Sequence, residues 1–580
     1  MAVPRLRVPS AHAGGSLRQA AGLTSDEVEL YHRTYTTLLR SSGETHLRVL
    51  EQTHAAMNSS LHPLANSSEP DLGAFMYAMR RLPANLYSAN PIVMGQEAAE
   101  FRRNGIGSLE DWEAREAPAR RRWWFDNGSG TLAVLLASTS DLDDVIPTLV
   151  AYQIEWNKLH AAARATERPP GAEPDPAACA DAFGGAEDDW IRIKDAWDGS
   201  LSDFLDEVSS RRLNLRIRML GGSQVGYARM TRRWMAPIRA EMHHQGLADR
   251  PIYFVSSSTH SLVNLLTDTA RSREKDIIGY IEERGPDYLR EELQRFQEGR
   301  AEGSWENFLY YGARLFYDAL PEEGDEWRAR MENERTVGIT HLSSRTALRV
   351  SAQVMALDRL DPAGLDPRLG PLDAEKLKAS DAVIVNIEYP LGLAAYNILR
   401  ELTEGSDALK GAYVLGKAAT LNADVGDVLI SGVIHDEHSG STYWLDNAFS
   451  FDDIAPFLVF GSGLDNQRAV TVKSTFLQNR NYLDFYYREA YTVVEMEAGP
   501  FCNAVYEIAD ADRYPTGEAV SFAKLPIDFG IIHYASDTPY TQARTLGASG
   551  LSYFGMDSTY ASSVAILRRI LTLEGVLSHP

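Results

Sequence analysis

Beyond residue 374 short apolar runs alternate regularly with helical stretches, and this rhythm limits the architectures open to the chain. Ala382–Asn386 reads as a buried strand, Leu393–Leu402 as a helix, and Gly411–Leu415 and Val428–Ile434 as strands. Ala469–Thr475, Thr492–Glu495 and Ile527–Tyr534 continue the strands. Tyr482–Glu489, Pro500–Ile508 and Ser562–Leu573 supply further helices. Such alternation predicts an α/β domain over residues 375–580 with a central, mostly parallel sheet. Ligands of such sheets bind beyond the carboxyl ends of the strands. The Pro-, Gly- and Asp-rich stretch Asp361–Asp373 reads as the boundary with a large mixed α/β domain over residues 24–374.

Within that first domain, Thr24–His62 is helical in pattern, with Ser25 as N-cap and Glu27 and Glu29 in the first turn. Arg120-Arg121-Arg122 leads into Trp123-Trp124-Phe125, a turn and the run Leu132–Ala137, which predicts a hairpin. The three arginines read as a solvated strand lead-in rather than a phosphate cradle. Asp141–His160 reads as a helix capped by Ser140, and Glu167–Glu187 as an exposed linker. The strand Ile252–Val255 runs into Ser256–Ser261 and then a helix from Leu262. Ser257, Ser258, Thr259 and His260 thus offer hydroxyls and free N–H groups at a helix start. That suits a phosphate, although plain capping explains the same residues.

The formal net charge of −23 argues against a general nucleic-acid binder, because affinity for a phosphate backbone needs a basic surface. Cys179 and Cys502 are the only cysteines, too few for a disulfide framework or a cysteine-based zinc site. Residues 1–23 carry Arg5, Arg7 and Arg18 without an apolar core, and read as a disordered lead-in rather than a secretory signal. With no very long apolar run, the expectation is a cytoplasmic protein without membrane or nucleic-acid partners.

The stretch richest in chemistry is Val493–Glu507, where two apolar residues run into Glu495-Met496-Glu497 and a helix start. Strand alternation would set Glu495 and Glu497 on one face and Met496 on the other. Carboxylates at a strand end are costly to desolvate unless they meet a partner, either a ligand or the N-terminus of the next helix.

Glu495-Met496-Glu497-Ala498 resembles the Glu-Met-Glu-Ala signature of the nucleoside phosphorylase and nucleosidase superfamily. Gly416–Leu421 resembles its glycine-rich turn, Gly426–Ile430 its Gly-Asp-Val-Val-Ile strand, and Ser536-Asp537 its Ser-Asp pair after the last core strand. The resemblance covers the C-terminal third. It implies a purine nucleoside or nucleotide as ligand, no cofactor, and a homo-oligomer. By matching position it implies that Asp537 serves the departing base, that Glu497 binds ribose hydroxyls and that Met496 packs on the sugar. Glu495, Gly416, Lys417 and Ser536 fall within the matched blocks, and Arg480 is a further residue for the polar rim.

Departures from the pattern bear on the acceptor. Where the superfamily's phosphorylases carry an arginine after the first strand, this chain has Gly392 in Glu388-Tyr389-Pro390-Leu391-Gly392, and a second arginine position reads as Val414. Both losses favour hydrolysis over phosphorolysis, with Glu388 activating water by analogy with the nucleosidases; a surface or capping role for Glu388 stands beside that reading. Lys417 occupies the position of a phosphate-contacting serine. Two alternatives stay open: a non-catalytic nucleotide sensor, and a glycosyl transferase or phosphorylase acting between a base and a phosphosugar. His435-Asp436-Glu437-His438 lacks a further ligand of defined spacing, so no metal is expected.

Overall fold

The computed structural model of the chain describes residues 26–40, 43–166, 173–197, 199–321, 324–404, 408–510, 515–539 and 553–577; the lead-in expected over residues 1–23 lies outside them. Two sheets organise these residues. The smaller comprises β1 (Thr45–His46), β2 (Ile92–Gly95), β3 (Glu113–Ala117), β4 (Arg120–Asp126), β5 (Leu132–Leu135) and β6 (Arg216–Met219), in the order β1-β6-β2-β5-β4-β3. The predicted hairpin is present as antiparallel β4 and β5, with Trp124 opposite Val134.

The larger sheet begins with β7 (Ile252–Ser256), β8 (Ile339–Leu342), β9 (Ala352–Ala356) and β10 (Val383–Ile387). It continues with β11 (Leu409–Thr420), β12 (Val428–Asp436), β13 (Ser441–Trp444), β14 (Gly463–Thr471), β15 (Tyr491–Glu495), β16 (Ala519–Ser521) and β17 (Asp528–Asp537). Its order is β16-β13-β12-β14-β15-β11-β7-β10-β9-β8, with β17 pairing to β11 and β12. The sheet takes strands from both sides of the boundary expected at 374–375, since β7 lies between β10 and β11.

The sheet is mixed rather than mostly parallel. Among the described residues six strand pairings are parallel and five antiparallel. The physical reason is connection length: β8–β9 and β12–β13 are joined by short loops, which can only return a strand antiparallel.

Alternation along the central strands serves two cores. Ile252 and Phe254 of β7, Val383 and Val385 of β10, and Ala412 and Val414 of β11 pack into one cluster together with the small sheet. Their neighbours Tyr253, Val255, Ile384, Tyr413 and Leu415 pack on the opposite side against the helices Trp305–Asp318 and Tyr553–Leu573. Each strand is apolar on both faces, as a covered sheet requires. No helix among the described residues is long and apolar enough to cross a membrane.

The helix predicted over Asp141–His160 runs from Thr139 to Ala165, and its cap is Ser138, whose hydroxyl accepts from Asp141 N at 3.3 Å. Ser140 instead accepts from Leu393 N at 2.9 Å and so ties this helix to the start of another. Glu167–Glu187 is not a plain linker: Pro176–Phe183 is helical and a further helix begins at Glu187. Its residues 167–172 lie outside the described set.

The arginines expected as a solvated lead-in are built into the structure. Arg122, 3 % exposed, pairs with Asp141 and Asp144 at 2.8 Å, and Arg120 grips Asp144 through two bonds of 2.8 and 3.0 Å. Burial alone would push the Asp144 carboxyl up; Arg120 and Arg122 outweigh it and hold the group below the ordinary carboxylate range. These pairs fix β4 to the 139–165 helix. Asp144→Ala would leave Arg120 without its anion and the buried Arg122 with Asp141 alone, and a destabilisation of roughly 3–5 kcal/mol is expected. Urea unfolding followed by circular dichroism would measure it; a loss below about 1 kcal/mol, the scale of a surface pair, would show that the arginines reach water instead.

Candidate functional site

A cleft of about 960 Å³ opens where strand ends of the large sheet meet segments from the first half of the chain. Its floor gathers Gly416 and Lys417 of β11, Glu495 at the end of β15, Met496 and Glu497 beyond it, and Ser536 and Asp537 closing β17. Glu388, just after β10, and Ser258, Thr259 and His260, just after β7, complete one side. The structure thus brings nearly all the sequence-predicted residues to one place.

Two of them lie elsewhere. Ser257 is fully buried and its hydroxyl donates to Asn386 Oδ1 at 2.9 Å, so it braces β7 against β10. Arg480 is exposed at the start of a helix outside the cleft lining, its N–H bonded to Asn58 O at 2.9 Å.

Local geometry differs from expectation in two further ways. Gly416 and Lys417 do not form a turn; they are strand residues paired in parallel with His533 and Tyr534, and the register shifts only at Ala418/Ala419. Met496 does not point away from its flanking glutamates. The strand stops at Glu495 and Glu497 is the N-cap of the helix Ala498–Ala509, so alternation ends and all three side chains line the cleft.

Glu495 is 4 % exposed and accepts from Thr471 Oγ1 and from the N–H groups of Glu497 and Ala498, at 2.6 and 2.7 Å. It therefore does cap the following helix. Glu497 accepts from Gly392 N at 3.4 Å. Burial pushes both carboxyls up, Glu495 to about 8 with help from the Glu497 charge, and Glu497 to about 7. Behind them His533, 2 % exposed, is held neutral by burial, its pKa brought down to about 4, with Nε2 4.0 Å from Glu495. Ser536 Oγ donates to Asp537 Oδ2 at 2.9 Å, and Asp537 is 2 % exposed.

Gly392 stands in the left-handed region at φ +52°, and a Cβ there would lie 2.2 Å from Ser140 Oγ. No arginine fits at that position. The Glu388 carboxylate is instead paired with Arg121, whose guanidinium also donates to Tyr389 O at 2.7 Å.

The sequence reading missed most of the opposite wall, which holds Arg80, Arg81, Arg314, Arg330 and Arg349. Arg314 belongs to the helix Trp305–Asp318 and Arg330 to Asp325–Thr336, where no spacing marks them out. Arg80 and Arg81 follow a short helix in an unremarkable turn. The His435–His438 run is absorbed locally: His435 Nδ1 meets Thr442 Oγ1 at 2.9 Å and Glu437 accepts from Tyr486 at 2.7 Å. Among the described residues no three His, Cys, Asp or Glu side chains are grouped to hold a metal ion.

The chain belongs to a family of unknown function, DUF6909, whose family model matches residues 47–572. Among curated proteins none matches the sequence. Solved structures that resemble it include the 5′-methylthioadenosine/S-adenosylhomocysteine nucleosidase of Neisseria meningitidis, at 14 % identity over 44 % of this chain and 96 % of that one, with a TM-score of 0.27. Purine nucleoside phosphorylase of Toxoplasma gondii shares 13 % identity over 43 % of this chain and 88 % of its own, with a TM-score of 0.27. Uridine phosphorylase of Vibrio fischeri shares 9 % over the same fractions, again at 0.27. Likenesses of this size carry no argument about chemistry.

The raised glutamates make stability pH-dependent. An unfolded glutamate ionises near about 4.3, whereas the folded pair keeps its protons until pH 7 to 8. The folded state therefore binds more protons across that interval, and stability falls as pH rises through it. Glu497→Gln should flatten the fall in thermal midpoint between pH 5 and 8.5. An unchanged slope would mean that the pair does not titrate there.

Proposed function

We propose that this protein cleaves the N-glycosidic bond of a purine nucleoside or nucleotide, with water as the acceptor. The observation that carries the reading is the convergence of Glu495-Met496-Glu497, Gly416-Lys417 and Ser536-Asp537, three separate sequence blocks, on one cleft. Breaking this bond requires a donor for the departing base and accommodation of the oxocarbenium charge on the sugar. Asp537 serves the base, with Ser536 holding one carboxylate oxygen in place. Glu497 binds ribose hydroxyls, and Met496 lies beside the sugar, its sulfur 3.9 Å from Thr475 Oγ1. The lack of room for an arginine at Gly392 supports water over phosphate as nucleophile.

Glu388 is the group assigned to activate that water. Its pairing with Arg121 favours a second reading, a nucleotide sensor that binds without turnover, because a carboxylate engaged by a guanidinium is a poor proton acceptor. Turnover separates the two. Purified protein incubated with adenosine, AMP, inosine or methylthioadenosine, with and without phosphate, should release free base independently of phosphate, and chromatography would detect it. Asp537→Asn should slow release by roughly 10²–10⁴-fold, the usual range for a lost general acid. Release that requires phosphate would replace hydrolysis by phosphorolysis, and tight binding without release would leave the sensor.

A further inference from the structure

Eight arginines and one lysine line the cleft of a chain whose net charge is −23. Four of these arginines are paired with carboxylates. Arg120 and Arg122 hold Asp144, Arg121 holds Glu388, and Arg330 holds Glu334 at 2.8 Å.

Of the others, Arg349 lies on the Trp123 ring and donates to Arg122 O at 3.4 Å, while Lys417, Arg81 and Arg314 have no close carboxylate among the described residues. Lys417 is exposed and lines the cleft, and among the described residues no hydrogen bond or ion pair engages its ammonium. Arg81 is 4 % exposed; its guanidinium lies 3.4 Å from the centroid of the Tyr77 ring and donates to Tyr77 O at 3.1 Å, while Nε has no partner. Arg314 reaches only Asp318, at 3.6 Å, a carboxylate that is itself 68 % exposed.

The three stand close enough to repel. Burial lowers the Lys417 ammonium below the ordinary lysine range, Arg314 and Arg81 push it the same way, and Asp537 pulls against them. Gathering partly desolvated cations from β11, from the turn at Arg81 and from the helix Trp305–Asp318 is costly unless an anion joins them. An anion that answers all three must be compact and must reach the Lys417 ammonium, which Asp537 also attracts. A phosphoryl group meets these conditions and suits guanidinium donors.

We propose that Lys417, Arg81 and Arg314 seat a phosphate monoester carried on the sugar of the substrate, so that the ligand is a nucleoside monophosphate. The inference rests on the glycosidic reading above and names its substrate class. The cleft volume agrees, because about 960 Å³ is near the top of the range of roughly 300–1,000 Å³ for small-molecule sites and leaves room beyond a nucleoside.

Inorganic phosphate shares this chemistry, so the test separates the two sources. Isothermal titration of the full chain with ribose 5-phosphate, ribose and inorganic phosphate should show ribose 5-phosphate binding at least tenfold more tightly than either of the others. Lys417→Met should remove that advantage at least tenfold while leaving the weak binding of ribose unchanged. Arg314→Met provides a second variant, with circular dichroism to establish folding. Equal binding of inorganic phosphate and ribose 5-phosphate would overturn the assignment in favour of a free-phosphate seat; no binding of either, or no effect of either folded variant, would overturn it outright. The two proposals fail separately. Binding of ribose 5-phosphate without base release from any substrate sinks cleavage and keeps the seat. Equal cleavage of adenosine and AMP, unaltered by Lys417→Met, sinks the seat and keeps cleavage.

Discussion

The two covered faces of the central strands are the constraint on which the rest depends. Because β7, β10 and β11 bury one set of side chains with the small sheet and the alternate set under the C-terminal helix, neither face has room for polar chemistry. Most groups of the cleft therefore emerge at or near strand ends, with Lys417 still inside β11. Ser258 and Glu388 appear two and one residues past β7 and β10, and Asp537 closes β17, all three strands running parallel to β11. The strand β15 returns antiparallel across the last residues of β11 and delivers Glu495 to the same end.

The other wall is set by a different interaction. Asp144 and Asp141 on the 139–165 helix gather Arg120 and Arg122, which places β4 and its neighbour Arg121 over the strand ends. The same helix accepts Leu393 N through Ser140 and forces Gly392 into a conformation that admits no side chain. One helix thus both removes the cation position at Gly392 and positions others from β4. Sequence distance hides this exchange, because the partners are joined through a fold rather than a motif.

That contrast explains what was legible. The strand–helix rhythm and the carboxylates of Val493–Glu507 were readable because their meaning is local: alternation, capping and strand ends act over a few residues. The mixed character of the sheet was less so, because it depends on which strands meet across it, β9 with β10, β15 with β11 and β17 with β12, over separations that no local pattern records. Arg120–Arg122 looked solvated because three adjacent charges usually are; only Asp144, 24 residues from Arg120 on a buried helix face, reverses that. Arg81 and Arg314 carry no pattern at all, and their convergence exists only in three dimensions.

The electrostatics of the cleft follow from these two origins. Glu495 and Glu497 interact, so the values near 8 and 7 belong to the pair rather than to either residue, and at neutral pH the pair retains at least one proton. Three donors converge on Glu495, which favours its charged form, whereas Glu497 receives one long bond from Gly392. Burial and the mutual repulsion of the two groups hold that proton within the pair. A protonated carboxyl both donates and accepts hydrogen bonds, so the pair presents both functions to the cleft. The floor thus carries less negative charge than its carboxyl groups suggest, with Lys417 among them, while Arg81 and Arg314 line the wall.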